Sequence, residues 1–417
     1  MEPELDYTAR RHAAAHTRDY LYSQLIPYIG NKRKLLPLID TAIQRTDTRG
    51  GLFVDYFAGS SVVARLAKLR GFRVFANDWE PYAAIINHCA ITCNTMPAFA
   101  AFGGAGMVFR LLNSIAPQAG YITANLCPAD DAHPDPDTER LFFTRANGMR
   151  IDALREQIAA WDAAGLLAAD ERAVLLGSMM YAVSYVSNTS GVFKGFHRGW
   201  GGQTSTALYR ILSRFELRPP VFYDNQQANR AYQLDAQTLA EQLRDRGQHV
   251  AIAYLDPPYN QHPYGSNYHV LNTVALWDKP PLPPRSAGGG KSAIRTDWRT
   301  ARRSAYNYAT AAAAYATLLE TIEADYILTS YSTDGNIDLR TLLEAAAARG
   351  RLSCVQNAYK RYRVSSQRFS EKPLNVEFVL IIEPGGSTRP HEVDAIEQAI
   401  CAAEHAALTA HPEYVLS

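Results

Sequence analysis

The stretch that most constrains the fold is the apolar run over residues 250–255, together with the turn that follows it. An apolar run of this length, bounded by turn residues, predicts a strand buried on both faces of a parallel sheet. The run ends in the tetrapeptide Asp256-Pro257-Pro258-Tyr259. The binding crevice of an open α/β sheet lies beyond the carboxyl ends of its strands, so the tetrapeptide is expected to border that crevice.

The tetrapeptide offers hydrogen-bond acceptors without competing donors. Neither proline has a backbone N–H, and each fixes its own φ. The Asp256 carboxylate and the Pro257 carbonyl therefore form a stiff pair of acceptors suited to holding an amino group. Tyr259 adds a flat ring on which a planar base can stack, worth roughly 1–3 kcal/mol. We therefore predict that Asp256, Pro257, Pro258 and Tyr259 are the catalytic residues.

Three motifs together resemble a known family. They are the tetrapeptide 256–259, Phe57-Ala58-Gly59, and residues 28–32, which read Tyr-Ile-Gly-Asn-Lys. Their sequence and order resemble the Dam-like adenine-specific DNA methyltransferases (D12 class, alpha group), with the similarity spread over residues 22–384. The resemblance implies a site-specific enzyme of restriction-modification or phage defence. Such an enzyme transfers a methyl group from S-adenosyl-L-methionine to N6 of an adenine flipped out of double-stranded DNA.

Other functions remain open from the residues alone. An RNA N6-adenine or a cytosine N4 methyltransferase would keep the same chemistry, although cytosine enzymes more often carry Ser in place of Asp256. A Rossmann-type nucleotide-dependent oxidoreductase is an alternative from a different class, and a DNA-binding subunit with an inactive site is another.

Residues 52–78 predict a strand, a tight turn, a helix and a second parallel strand. Gly59 in the turn allows the backbone to approach a ligand closely. Asp78 ends the second strand, where an acid commonly binds ribose hydroxyls. A turn that binds pyrophosphate is richer in glycine, and Ser61 stands where the family has a second glycine. The turn therefore favours S-adenosyl-L-methionine, which has no phosphates, over NAD.

The resemblance extends to further cofactor contacts. The motif at 28–32 closes over the methionine end of the cofactor in the family, and an acid near residue 235 contacts the adenine ring. Asp235 also precedes a predicted helix, and an N-cap role for its side chain is the alternative. The candidate cofactor residues are Tyr28, Gly30, Lys32, Phe57, Gly59, Asp78, Asp235 and Asp256.

The fold class predicted is α/β: a Rossmann-like methyltransferase sheet with helices on both faces and an inserted, mostly helical domain. The catalytic domain is expected to be discontinuous, over residues 22–100 and 231–384, and residues 375–382 are expected to close the sheet. Residues 101–230 are predicted to form the insert, which recognises the DNA target in the family. Residues 385–417 are predicted to form a C-terminal helix.

Three segments combine features that suit nucleic-acid contacts. Residues 188–202 alternate basic and aromatic residues among glycines, a composition typical either of a DNA-binding loop or of a packed Gly-aromatic loop. Residues 260–273 form a tyrosine-rich loop beside the predicted reaction site. Residues 351–372 carry six cations and one acid, which indicates either a phosphate-binding patch or a solvated hairpin. The candidate DNA-binding residues are Lys194, His197, Arg198, Tyr264, Asn267, Tyr268, Arg361, Arg363 and Arg368.

Composition narrows the setting of the protein. With 47% hydrophobic and 20% charged residues, the 417-residue chain is ordinary for a globular protein, and its formal net charge of +1 means that any DNA surface is a local patch. Five scattered cysteines, with Cys89 and Cys93 spaced for one helix face, predict a reduced, cytoplasmic protein without a metal site. No run is long enough to span a membrane. Double-stranded DNA and a cognate restriction endonuclease are the expected partners.

Overall fold

The computed structural model of the protein describes residues 15–259, 263–283, 292–360 and 374–410. A seven-stranded sheet lies at its centre, and its strand order is β3-β2-β1-β4-β5-β7-β6. The strands are β1 (Leu52–Asp55), β2 (Arg73–Asn77), β3 (Arg230–Tyr232), β4 (Ile252–Leu255), β5 (Tyr326–Ser332), β6 (Gly350–Lys360) and β7 (Leu374–Pro384).

The topology places a ligand crevice at the carboxyl ends of β1 and β4. Strands β1 to β5 are parallel, and the chain moves outward from β1 through β2 to β3 before it returns to β4 on the other side of β1. Strands β1 and β4 therefore flank the topological switch point, where ligands bind in open α/β sheets. Their carboxyl ends carry Phe57-Ala58-Gly59 and the tetrapeptide 256–259.

The expectation that residues 375–382 close the sheet is wrong. They belong to β7, which lies between β5 and β6 and runs antiparallel to both, so that β6 forms the edge. An apolar strand such as β7 has hydrogen-bonding groups on both sides, and an interior position satisfies them all. The predicted hairpin at 351–372 is described only in its first part, as β6.

The helices cover both faces of the sheet and fill the segment between β2 and β3. In chain order they are α1 (15–22), α2 (Leu36–Gln44), α3 (Val62–Leu69), α4 (Pro81–Asn87), α5 (Ala105–Ser114), α6 (Tyr121–Leu126), α7 (Arg145–Ala163), α8 (Ala169–Val186), α9 (Leu208–Ile211), α10 (Ala236–Asp245), α11 (Tyr264–Asn267), α12 (His269–Leu276), α13 (Ala311–Thr321), α14 (Leu339–Arg349) and α15 (Pro390–Ala410).

Alternate residues of the central strands pack on opposite faces, which confirms the double-sided burial predicted for β4. Ile252 and Tyr254 belong to the core beneath α2 and α3. Ala253 and Leu255 belong to the core beneath α10, α13 and α14. The side chains of a strand alternate between faces, so a strand that is apolar at every position requires helices on both sides.

The helices of the insert pack around a third core. Residues of α5 to α8 surround Phe142 and Met179, both fully buried, and the same core includes Tyr82 of α4 and Leu271 of α12. The insert is thus mostly helical, as predicted, and it is joined to the catalytic sheet through apolar contacts with α4 and α12. Among the described residues, no helix combines the length and the apolar character needed to cross a bilayer.

Candidate active site

The turn after β4 brings the tetrapeptide to the carboxyl edge of the sheet. Leu255 is fully buried, whereas the Asp256 side chain is 16% exposed and lines a cleft together with Pro258. The N–H of Asn336, beyond the end of β5, donates to the Tyr259 carbonyl at 3.1 Å. Two prolines and this anchor hold the Asp256 carboxylate in one direction.

Lys32 forms an ion pair with Asp256 beneath the cleft. Its Nζ lies 3.1 Å from Asp256 Oδ1 and 4.8 Å from the centre of the Tyr259 ring. Only 3% of the Lys32 side chain is exposed. Burial lowers the pKa of Lys32, but the neighbouring anions, Asp256 above all, outweigh burial and hold that pKa well above its usual value. The motif 28–32 and the tetrapeptide, far apart in sequence, therefore meet at one charged pair.

The turn after β1 requires glycine at position 59. Gly59 has φ +48°, and a Cβ at this position would lie 2.9 Å from the ring of Tyr28. The Gly59 N–H donates to Asp78 Oδ2 at 2.9 Å. The Tyr28 ring packs against the turn, and the close approach of a ligand to the Gly59 backbone stays a prediction.

Two acids with raised pKa values follow β2, and one of them pairs with an arginine. Asp78 accepts the N–H groups of Gly59 and Glu80, each at 2.9 Å, and burial raises its pKa to about 6. Glu80 accepts from Asn272 Nδ2 at 2.6 Å and lies 3.6 Å from Arg302, and burial raises its pKa to about 7. Both are therefore acids of the cleft lining that burial makes easier to protonate.

The cleft is partly open, and the space of about 570 Å³ that protein atoms leave unfilled in it includes open solvent. Four carboxylates line it, and its described lining contains no lysine or arginine. The lining residues are Tyr28, Gly30, Tyr56, Phe57, Asn77, Asp78, Trp79, Glu80, Leu234, Asp235, Ala236, Asp256, Pro258, Tyr264 and Tyr306.

Six of the eight cofactor residues proposed from the sequence line this cleft, and Lys32 and Gly59 lie directly behind it. Asp235 does so while its side chain also caps α10, accepting the Gln237 N–H at 2.9 Å. The N-cap role is thus confirmed, and a contact with a cofactor ring stays a prediction.

Several lining residues were not anticipated. Trp79 and Glu80 directly follow Asp78, and their position at a strand end was a usable signal. Asn77 bridges strands, donating to the carbonyls of Tyr56 and Leu234, each at 3.1 Å. Tyr306 comes from a 3₁₀ turn more than 40 residues beyond the tetrapeptide, and no local pattern identifies it.

A stack of tyrosines forms one wall of the cleft. The ring centre of Tyr28 lies 5.0 Å from that of Tyr268 and 5.1 Å from that of Tyr264, with nearly parallel planes. The Tyr268 hydroxyl accepts the Ile29 N–H at 2.8 Å, and the Tyr264 hydroxyl donates to the Ile29 carbonyl at 3.1 Å. These bonds tie the 28–32 motif to the tyrosine-rich segment after the tetrapeptide.

The basic loop at 188–202 adjoins that segment. The Phe193 N–H donates to the Asn267 carbonyl at 2.7 Å. Arg198 is exposed and pairs with Asp137 at 2.7 Å. Lys194 and His197 are partly buried, and burial lowers the pKa of each. Contact of Lys194, His197 and Arg198 with DNA stays a prediction. The loop is hydrogen-bonded to α11, which follows the tetrapeptide in the chain.

The other DNA-binding candidates differ in accessibility. Asn267 and Tyr268 are each 1% exposed, within the core that joins the insert to the sheet. Because they are buried, they do not form an open DNA surface in this structure. Tyr264 is partly exposed and lines the cleft. Arg361, Arg363 and Arg368 lie outside the described residues.

One cluster of metal-ligand types lies apart from the cleft. Donor atoms of His88, Cys93 and Asp170 lie within 4.8 Å of one another. The imidazole already pairs with the Asp170 carboxylate at 2.7 Å, and burial raises the pKa of the Cys93 thiol well above its usual value. This arrangement is that of an ion pair in the first turn of α8 beside a buried thiol, and we assign no metal to it.

The chain is similar in sequence to known modification methylases and Type II methyltransferases. The chain is 28% identical over 356 residues to the Type II methyltransferase M.NlaIII of Neisseria lactamica, an alignment that covers 84% of this chain and 96% of the relative. It is 28% identical over 345 residues to the modification methylase StsI of Streptococcus sanguinis, covering 81% of this chain and 48% of the relative.

A further relative is the modification methylase LlaI of Lactococcus lactis subsp. lactis, 28% identical over 85% of this chain and 54% of the relative. The chain thus spans about half the length of StsI and LlaI. No solved structure matches the chain significantly.

A family model described as D12 class N6 adenine-specific DNA methyltransferase matches residues 28–283, more than half of the chain. The match contains all three motifs that meet at the cleft. The chain belongs to the D12 class of N6 adenine-specific DNA methyltransferases.

Proposed function

We propose that this protein transfers the methyl group of S-adenosyl-L-methionine to N6 of an adenine flipped out of duplex DNA. One observation carries the proposal: Asp256 and Pro258 line the same cleft as Phe57 and Asp78, at the switch point of the sheet. A rigid pair of acceptors for an amine thus borders the cleft that the turns after β1 and β2 also line.

The residues of the cleft fit this cofactor. The sulfonium and amino groups of S-adenosyl-L-methionine carry positive charge, which complements a lining of four carboxylates. From outside the lining, Lys32 pairs with one of these carboxylates, Asp256. Arg302 pairs with another, Glu80, also from outside the lining. The pyrophosphate of NAD would meet repulsion from the same acids, and this disfavours the oxidoreductase alternative. When bound, the cofactor supplies an electrophilic methyl group. Asp78 is placed to accept ribose hydroxyls, and the rings of Phe57 and Tyr306 supply flat apolar surface.

The tetrapeptide would orient the target base. The Asp256 carboxylate and the Pro257 carbonyl accept hydrogen bonds from the N6 amino group, which directs its lone pair at the methyl group. Tyr259, partly exposed, offers its ring to the base. Extrusion of the base costs a few kcal/mol, which these contacts offset. The chemistry is a direct displacement, so the chain contributes mainly position and a carboxylate that receives the departing proton.

The insert and the basic loop are the proposed DNA-recognition elements. The names of the relatives mention modification methylases and Type II methyltransferases. On that basis we propose that the protein modifies one DNA sequence and protects it from a cognate endonuclease. Single-molecule sequencing of DNA from cells that express the protein would identify methylated adenines and their sequence context.

The central test compares Asp256→Asn with Asp245→Asn, a surface substitution at the end of α10. Purified variants are incubated with the cofactor and duplex DNA or RNA, and the nucleic acid is digested to nucleosides for mass spectrometry. We expect N6-methyl-2′-deoxyadenosine in DNA from the wild type and Asp245→Asn, and at least about a hundredfold less from Asp256→Asn. Methylated cytosine, methylated RNA alone, or full activity of Asp256→Asn would refute the proposal.

A further inference from the structure

Glu377 is a buried carboxylate beside the catalytic residues, and it lies beyond the stretch matched by the family. It lies on β7 and is 7% exposed. Its Oε2 is 3.9 Å from Lys32 Nζ, on the ammonium that also contacts Asp256 at 3.1 Å. One lysine is therefore shared by two carboxylates in a site nearly closed to water.

The reversed direction of β7 explains how Glu377 reaches this place. Ser332, the last residue of β5, is the register partner of Glu377. Because β7 is antiparallel, its first residues lie at the carboxyl edge of the parallel strands, where Asp256 emerges from β4. A parallel strand in this position would place its last residues there instead.

Neighbouring polar groups hold the Glu377 carboxylate in position. Asn375 Nδ2 donates to Glu377 Oε1 at 3.3 Å and to Ser332 Oγ at 2.7 Å. The Ser332 hydroxyl in turn donates to Asp334 Oδ1 at 2.7 Å. One oxygen of Glu377 is thus fixed by an amide, and the other faces Lys32.

We propose that Glu377 is a positioning residue for methyl transfer: it draws the Lys32 ammonium to a fixed place against Asp256 Oδ1 and shares its charge, so that the remaining Asp256 oxygen stays a strong acceptor for the substrate amine. This inference rests on the proposed function. Oδ1 of Asp256 is buried against Lys32, whereas the side chain as a whole reaches the cleft.

The surrounding charges give the direction of the effect. The groups that act on Lys32 are Asp256, Tyr259, Glu377 and Tyr254, and Asp334 acts on Glu377. With Glu377 present, two carboxylates compete for one ammonium. Removal of the Glu377 charge leaves Lys32 to Asp256 alone, which stabilises the Asp256 anion and lowers its pKa. Asp256 then binds the amine less strongly and is a weaker acceptor for the proton released after transfer.

The experiment compares Glu377→Gln with Glu383→Gln, a partly exposed glutamate on the same strand that pairs with Arg351. Single-turnover methylation is measured with full-length protein, duplex DNA and S-adenosyl-L-methionine across a range of pH. For Glu377→Gln we expect the rate at neutral pH to fall about 10- to 100-fold. We also expect the acidic limb of its pH profile to move to lower pH, with cofactor affinity unchanged. Glu383→Gln should match the wild type.

Asn375→Ala supplies a second measurement, because it frees the carboxylate without removing its charge. It should lower the single-turnover rate and leave the acidic limb in place. A wild-type rate in Glu377→Gln, or a slower rate without movement of the limb, would overturn the inference, and so would a wild-type rate in Asn375→Ala. Inactivity of the wild type would instead contradict the proposed function.

Discussion

At the scale of single residues, the site depends on a backbone conformation that only glycine adopts easily. Gly59 combines a φ of +48° with direct contact to the Tyr28 ring. The same residue donates its N–H to Asp78. A side chain here would disturb the turn, the tyrosine stack and the acid together.

Gly59→Ala should therefore lose cofactor binding. The left-handed backbone costs about 1–2 kcal/mol of stability for alanine, and the new methyl group also pushes on Tyr28. We expect at least about tenfold weaker S-adenosyl-L-methionine affinity by calorimetry, since the turn borders the cleft. The matched control is Gly71→Ala at the other end of α3, where φ is +87° and no atom lies within 4 Å of the added Cβ. Equal cofactor affinity in the two variants would contradict this reasoning.

The acids of the cleft predict a pH dependence of cofactor binding. The pKa of Asp78 is raised to about 6 by burial, so the group becomes protonated below that pH and loses acceptor strength and charge. If the cofactor binds the carboxylate form, its affinity falls by up to about tenfold per pH unit below pH 6. Binding is constant above the pKa of the group and weakens as pH decreases through it.

Cofactor dissociation constants measured from roughly pH 5 to 8 would check this expectation. Asp78→Asn should bind the cofactor weakly, and its dissociation constant should not change with pH near pH 6. In Glu80→Gln the dissociation constant should still change near pH 6 but no longer near pH 7, because burial raises the pKa of Glu80 to about 7. If cofactor affinity still changed near pH 6 in Asp78→Asn, a group other than Asp78 would cause that pH dependence.

At the scale of elements, the C-terminal helix was predicted from sequence, whereas its docking surface was not. Helix α15 packs on β6, β7 and α14. Its Val393 and Ile400 side chains enter the core on that face of the sheet. Packing on this face of the sheet is therefore sufficient to bury these two residues.

Ile400→Ala should destabilise the protein by roughly 2–5 kcal/mol, because Ile400 is fully buried and the substitution leaves a cavity. Cys401→Ala, at the next position on the same helix, changes an exposed side chain and should alter stability by less than about 0.5 kcal/mol. Urea unfolding of both variants provides the measurement. Equal midpoints would mean that α15 contributes little to the fold.

At the scale of the whole molecule, the insert and the sheet are joined by buried polar contacts as well as apolar ones. Arg155 of α7 donates from Nε to the Val274 carbonyl at 2.7 Å and from a terminal nitrogen to the Ala275 carbonyl at 3.3 Å. Its guanidinium also lies 5.3 Å from the Trp277 ring centre. These contacts satisfy the last carbonyls of α12, a helix that follows the tetrapeptide 256–259 in the chain. They therefore connect the insert to the part of the protein that carries the cleft.

Arg155→Met should lower the free energy of unfolding by roughly 2–4 kcal/mol, because it leaves two buried carbonyls without a charged donor. Arg172→Met breaks an exposed ion pair with Asp162 and should cost at most about 1 kcal/mol. Differential scanning calorimetry of wild type and variants tests both values. Wild-type stability of Arg155→Met would show that the insert is held by apolar contacts alone.

The sequence alone was sufficient to predict features that depend on residues close together in the chain. The apolar run before Asp256, the glycine turn after β1 and the acid after β2 are local patterns, and parallel strands bring their carboxyl ends together at one edge. Strand order could not be predicted from the sequence, because it depends on contacts between segments hundreds of residues apart. Folding was needed to place β7 inside the sheet, to bring Glu377 and Tyr306 beside the tetrapeptide, and to bury Asn267 and Tyr268. The reason is that burial and charge at a site are set by residues adjacent in space, which one-dimensional spacing does not encode.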